Sequence, residues 1–346
     1  MKKIREFINK EKLYFYLLSF IIIVNAAMMV MSIGKEEAVE EKINLKEFEL
    51  QPEEFQRLVE EGNPYAIGLG SFMMLAFFGF TIGLVLFFRF IYAKLRKREI
   101  GIERLDNVTK TNWGIFSCIR VVILFLWFGY ILHFVEGAIF TLLNITDPPK
   151  ELLMMFNAAI MDVLAFFFVV YFLVEQYGKR LREVGLSLKN ITRKIGLGIV
   201  SYLTALPALL AVILIVLGVA KLVNYEPEPQ KIFEIFYSPI SKRLLIFSTL
   251  FVAIGGPIAE EVFFRGFFYP ALKKITNAPV GILLSSGIFA LLHSNIVGFF
   301  PIMALGVLLA WLYERTGSLI PSMVAHIIHN TAIVIVVLLT RELVMK

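Results

Sequence analysis

Ionisable side chains stand where an otherwise apolar chain should have none. The stretch Gly255-Gly256-Pro257-Ile258-Ala259-Glu260-Glu261-Val262-Phe263-Phe264-Arg265-Gly266 sets two adjacent carboxylates and a guanidinium inside a hydrophobic run. On a helix Glu261 and Arg265 are i and i+4, so they share a face and can pair. Glu260 points about 100° away from Glu261. One carboxylate thus carries its own counter-ion and the other does not. An unpaired carboxylate in a low-dielectric setting has its pKa raised toward neutrality, as a general base requires. The bland alternative is a charged patch at a helix end.

Two further apolar helices bring imidazoles. Phe289-Ala290-Leu291-Leu292-His293 ends one, with Phe289 a turn before His293. His326-Ile327-Ile328-His329-Asn330 lies in the other. His326 and Asn330 share a face at i and i+4, while His329 falls on the other flank. A lone histidine in such a run is more often a satisfied interior residue than a catalyst. The fourth histidine, His133, stands near Glu136 at a span end and reads as interfacial anchoring. Brought together, a glutamate and a histidine could deprotonate water, and histidine or asparagine N–H groups could stabilise an oxyanion. The same groups (Glu260, His293 and His326) could instead ligate a divalent metal such as zinc.

Other hydrolytic signatures are missing. There is no His-Glu-x-x-His, no Gly-x-Ser-x-Gly and no Gly-x-x-x-x-Gly-Lys-Ser/Thr. The single cysteine, Cys118, excludes an internal disulfide and a cysteine-based zinc or CxxC redox site. It reads as a small packed side chain.

The elements that must position these groups are membrane helices. Of 346 residues 58% are hydrophobic and 18% charged, and mean hydropathy is +0.76. Soluble domains run near 45–50% apolar and about 25% charged, so an ordinary soluble protein is excluded, and disorder more firmly. The apolar residues fall in blocks near the ~18 or more that a crossing helix needs. Nine segments are expected as helices: 13–33, 65–92, 114–135, 152–176, 195–223, 244–264, 279–293, 297–312 and 319–340. The seventh and eighth are short enough to be half-buried or tilted. The fold class is therefore all-α, a polytopic transmembrane helical bundle of about eight or nine spans. The first run is too long for a signal-peptide core and ends in Ser32-Ile33-Gly34-Lys35, so it is expected to stay attached as a span.

The net charge of +6 does not point to nucleic acid, because the basic residues cluster in short loops. Segments 1–12, 93–112 and 177–194 are basic and alternate with 34–64, 136–151 and 224–243, which are not. The positive-inside rule places the basic set and the N-terminus in the cytoplasm. The glutamate-rich 34–64 segment carries Phe55, Leu58 and Val59 after Pro52, the spacing of a short amphipathic helix. It reads as a solvated linker, with a lid or docking element as the functional alternative. Asn25, Asn157 and Asp162 lie in apolar runs and could pair between helices; for Asp162 a substrate or proton path is the alternative. The polar shift at Leu186–Lys194 divides residues 1–185, with about four spans, from 186–346.

The order Glu260-Glu261-x-x-x-Arg265, Phe289-x-x-x-His293, His326-x-x-x-Asn330 resembles the three-motif signature of the CPBP intramembrane proteases. That family includes type II CAAX prenyl endopeptidases and bacteriocin-immunity (Abi) proteins. Thr316-Gly317-Ser318-Leu319-Ile320-Pro321 is also similar, and the likeness covers roughly residues 190–340. The resemblance implies that Glu260 activates water with help from His293. It implies that His326 and Asn330 stabilise the oxyanion, and that Glu261 and Arg265 support the site. The substrate expected is a membrane-associated protein or peptide, CAAX-type among the choices, in the cytoplasmic membrane. Two rival readings are a non-catalytic scaffold or immunity protein of the same fold and a proton-coupled transporter.

Overall fold

The computed structural model describes residues 11–32, 51–98, 102, 104–106, 111–225, 235–238 and 240–345. Most of the glutamate-rich segment and the basic residues before Glu11 lie outside the described residues. The longer helices among the described residues are α1 (Lys12–Ser32), α2 (Pro52–Glu60), α3 (Pro64–Leu95), α4 (Ile115–Leu142), α5 (Lys150–Tyr171), α6 (Ile191–Leu222), α7 (Lys242–Ile275), α8 (Ala278–Leu291), α9 (Phe299–Thr316) and α10 (Leu319–Val344). There is no strand among the described residues. All but α2 and α8 are long and apolar enough to cross a membrane, which makes eight candidate spans. The protein is a multi-pass helical membrane protein.

Local sequence accounts for most helix starts. Asn63 accepts hydrogen bonds from the Tyr65 and Ala66 amides at the head of α3, and Asn277 accepts from Val280 at the head of α8. Proline opens α2, α3 and α8, where its missing N–H costs nothing. The helix expected around Phe55 is α2; it lies on α3, with the Phe55 ring beside Gly70.

The seventh expected span differs most. α8 has 14 residues, about 21 Å of helix, too short for ~30 Å of hydrocarbon. It packs antiparallel on α9 as a hairpin. The hairpin's two ends, at Asn277 and Gly317, belong to the loops that join it to α7 and α10, and its tip carries His293. Irregular backbone at such a tip is tolerated when it is buried in protein or lines a cavity.

Around this hairpin α3, α6 and α10 pack on one another, and α5 packs on the middle of α7. A Cβ on Gly83 would collide with the Leu203 carbonyl, so α3 and α6 touch nearly backbone to backbone. Two basic loops meet the foot of α9. Buried Lys194 pairs with Asp106 at 2.7 Å and donates to the Ser187 carbonyl. The Leu105 and Asp106 amides donate to the Thr316 carbonyl, and the Tyr313 hydroxyl donates to the Val184 carbonyl. Loops of like charge therefore lie at one end of the bundle.

Candidate active site

Helix α7 is not a regular α-helix. Two π-turns, Phe251–Gly255 and Val262–Phe268, interrupt it and leave a short α-helical piece, Gly256–Glu261, between them. Each π-turn ends two residues before a proline, Pro257 or Pro270. Proline removes an i→i−4 hydrogen bond and crowds the carbonyl four residues back, so widening the turn relieves it. The interrupted ladder offers carbonyls to side chains. Asn330 Nδ2 donates to the Val252 carbonyl at 3.0 Å, and Trp113 Nε1 donates to the Phe267 carbonyl at 2.8 Å.

Glu260 and Glu261 have different surroundings. Glu261 is fully buried, and its Oε1 accepts from Arg265 Nη1 at 2.6 Å and lies 3.0 Å from His326 Nδ1. Arg265 is also fully buried; its Nη2 reaches the Gly306 carbonyl at 3.4 Å, and its guanidinium stands 4.6 Å from the Phe289 ring centre. A buried carboxylate thus has a cation and an imidazole, and the cation has an aromatic face. Glu260 Oε2 is buried without a hydrogen-bond partner and lies 3.7 Å from His326 Nε2.

The histidines take separate places. His326 stands between the two glutamates, one ring nitrogen toward each. His293 Nδ1–H donates to the Phe289 carbonyl at 2.8 Å, which makes Nε2 the acceptor nitrogen of the neutral ring. The Phe289 ring touches both imidazoles, with centroids 4.7 Å from His293 and 5.8 Å from His326. No hydrogen bond or ion pair links His293 to either glutamate or to His326 among the described residues. His329 faces away to α6, where its Nδ1 lies 3.2 Å from the Tyr202 hydroxyl. His133 pairs with Glu136 at 3.3 Å, and Glu136 also accepts from Asn157. Cys118 is buried against the Phe267 carbonyl.

One carboxylate joins the site from outside the three motifs. Asp162 of α5 faces Gly256, and its Oδ2 would lie 3.5 Å from a Cβ placed there. Glu260 Oε1 lies 3.9 Å from the same point. An acid in an apolar run was the sequence signal for Asp162, but nothing local tied it to Glu260.

A zinc ion takes donors at about 2.0–2.2 Å, usually four of them. Among the described residues no three His, Cys, Asp or Glu side chains converge closely enough to hold one. Glu260 and His326 bring two donors, His326 Nδ1 is committed to Glu261, and His293 stands apart from them. This donor set does not fit a metal ion.

Comparison with known proteins adds to this geometry. Residues 242–332 match the family model described as type II CAAX prenyl endopeptidase Rce1-like. A Bacillus subtilis (strain 168) protein named "Putative membrane peptidase YdiL" is 37% identical over 83 residues, 24% of this chain and 34% of that protein. A Lactococcus lactis subsp. lactis (strain IL1403) protein named "UPF0177 protein YxdF" is 32% identical over 71 residues, 20% of this chain and 38% of that protein. The chain thus spans about a third of the length of these relatives. No solved structure matches it. The α7–α10 segment that holds both glutamates, His293, His326 and Asn330 is therefore the part of the chain that is similar to the type II CAAX prenyl endopeptidase Rce1-like family.

Proposed function

We propose that the protein is an intramembrane endopeptidase that hydrolyses a peptide bond of a membrane-associated protein or peptide, CAAX-type substrates included. The observation that carries this is the asymmetry of the two glutamates. Arg265 and His326 occupy Glu261, whereas Glu260 keeps an oxygen without a partner beside His326. Glu260 takes a proton from water, and the water oxygen attacks the scissile carbonyl carbon. The carbonyl oxygen becomes an oxyanion. Asn330 has a second N–H beyond the one given to Val252, and the Nε2 edge of His326 faces Glu260, so both side chains stand where an N–H can donate to an oxyanion beside that carboxylate. The proton held by Glu260 passes to the departing nitrogen as the C–N bond breaks. His293, with a bare Nε2, supplies a second base at the hairpin tip.

Residues 186–346 are the proteolytic part in this reading, and 1–185 govern access to it. The site works in the cytoplasmic membrane, with the N-terminus and the basic loops in the cytoplasm. The test is Glu260→Gln, which keeps size and removes the base. Membranes carrying either form are compared for newly formed peptide termini. Cleavage is expected only with wild type, at equal expression and insertion; equal cleavage by the variant overturns the assignment.

A further inference from the structure

Gly256 of the Glu260 helix faces Asp162 of α5. Three oxygen atoms surround the point where its Cβ would be. Asp162 Oδ2 is 3.5 Å away, the Phe251 carbonyl oxygen 3.6 Å and Glu260 Oε1 3.9 Å. Asp162 belongs to α5, whereas Phe251 and Glu260 flank Gly256 on α7, and the Phe251 carbonyl, which also accepts from the Gly256 amide in the π-turn, keeps its second lone pair. All three are hydrogen-bond acceptors, save for a carboxyl that happens to be protonated. A notch lined by acceptors calls for a small donor. Glycine leaves space of about one methyl group, the scale of a single water molecule.

We propose that the notch over Gly256 seats the attacking water, and that Asp162 is a further catalytic residue that holds it. This rests on the protease reading of Glu260 given above. Water has two protons to donate. One goes to Glu260, the group that removes it, and the other to Asp162 or the Phe251 carbonyl. With both protons committed to acceptors, a lone pair is left to face the substrate carbonyl. In the reaction the O–H bond toward Glu260 breaks and the new C–O bond forms. The second proton stays on oxygen, hydrogen-bonded to Asp162, through the tetrahedral intermediate. The charged groups around Asp162 are few. Glu260 faces it from α7, with His326, Glu261 and Arg265 behind Glu260. On α4, Glu136 reaches Asn157, five residues before Asp162.

The notch allows an unusually clean test. Distances of 3.5–3.9 Å from a Cβ are ordinary van der Waals contacts, so Gly256→Ala fits without displacing its neighbours. Alanine also favours the helix over glycine. Gly256→Ala is therefore expected to fold and unfold like wild type and yet to exclude the water. Asp162→Ala removes one acceptor and is expected to lower kcat about 10- to 100-fold with KM unchanged; Asp162→Asn, which keeps one oxygen, falls between.

The experiment uses the full chain in lipid. A structure that orders water is determined for wild type and for Gly256→Ala. Cleavage is followed with a synthetic peptide spanning a site found by comparing wild-type and Glu260→Gln membranes. A water bonded to Asp162 and Glu260 in wild type, missing in Gly256→Ala together with cleavage, supports the proposal. A notch without water, or Gly256→Ala or Asp162→Ala with wild-type kcat, overturns it while leaving Glu260 as the base. Cleavage by Glu260→Gln at the wild-type rate refutes the protease reading itself.

Discussion

Replacing Arg265 by methionine isolates the energetics that hold the candidate site together. Arg265 and Glu261 are both fully buried, and their 2.6 Å contact is an i, i+4 pair inside one helix. Methionine leaves Glu261 with His326 as its remaining side-chain partner among the described residues. Removing one partner of a buried pair costs about 3–5 kcal/mol, because the other charge stays behind without compensation. The guanidinium also gives up its bond to the Gly306 carbonyl, at about 1 kcal/mol, and its place over Phe289, at up to about 2 kcal/mol. These losses overlap the first, so about 3–5 kcal/mol is the expected total. The assay is reversible unfolding of the purified chain in mixed micelles or bicelles. Adding Glu261→Leu removes the stranded charge as well, and the double variant is expected to recover more than half of the loss. Arg265→Met within about 0.5 kcal/mol of wild type, or a double variant less stable than the single, would refute the buried-pair reasoning.

Gly83→Ala drives a methyl into the Leu203 carbonyl at the α3–α6 crossing. It is expected to destabilise by about 1–3 kcal/mol in the same unfolding assay, as overpacking does. Asn330→Leu takes the side-chain donor from the Val252 carbonyl in the π-turn, and should lose about 1–3 kcal/mol of stability along with most cleavage. Lys194→Met leaves buried Asp106 without its cation. Hydrogen exchange at the Leu105 and Asp106 amides, which bond to Thr316, is then expected to rise sharply; unchanged protection would refute the role given to that pair.

Much of the candidate site lies within single helices, and that part was legible. Glu261 pairs with Arg265 because residues four apart share a helix face whatever surrounds them. The same spacing separated Glu260 from Glu261. The prolines after each π-turn were visible too, although the widened turns they accompany could not be read from spacing. His293 was legible as a residue at a helix end. Its bond to the Phe289 carbonyl, which sets the tautomer of the neutral ring, emerged only with the geometry.

The sequence by itself determined that this is a multi-pass helical membrane protein whose ionisable side chains within apolar runs are concentrated in its last third. Hydrocarbon permits only long apolar helices to cross it and makes every charge within them conspicuous. Tertiary structure alone decided which of those charges meet. The short α8 turns back in a hairpin, α5 brings Asp162 to Gly256, and α10 sets His326 between two glutamates. Such encounters depend on where helices cross and how closely their backbones approach. Residue spacing along one helix carries no information about either, because side-chain shape on both partners sets the crossing.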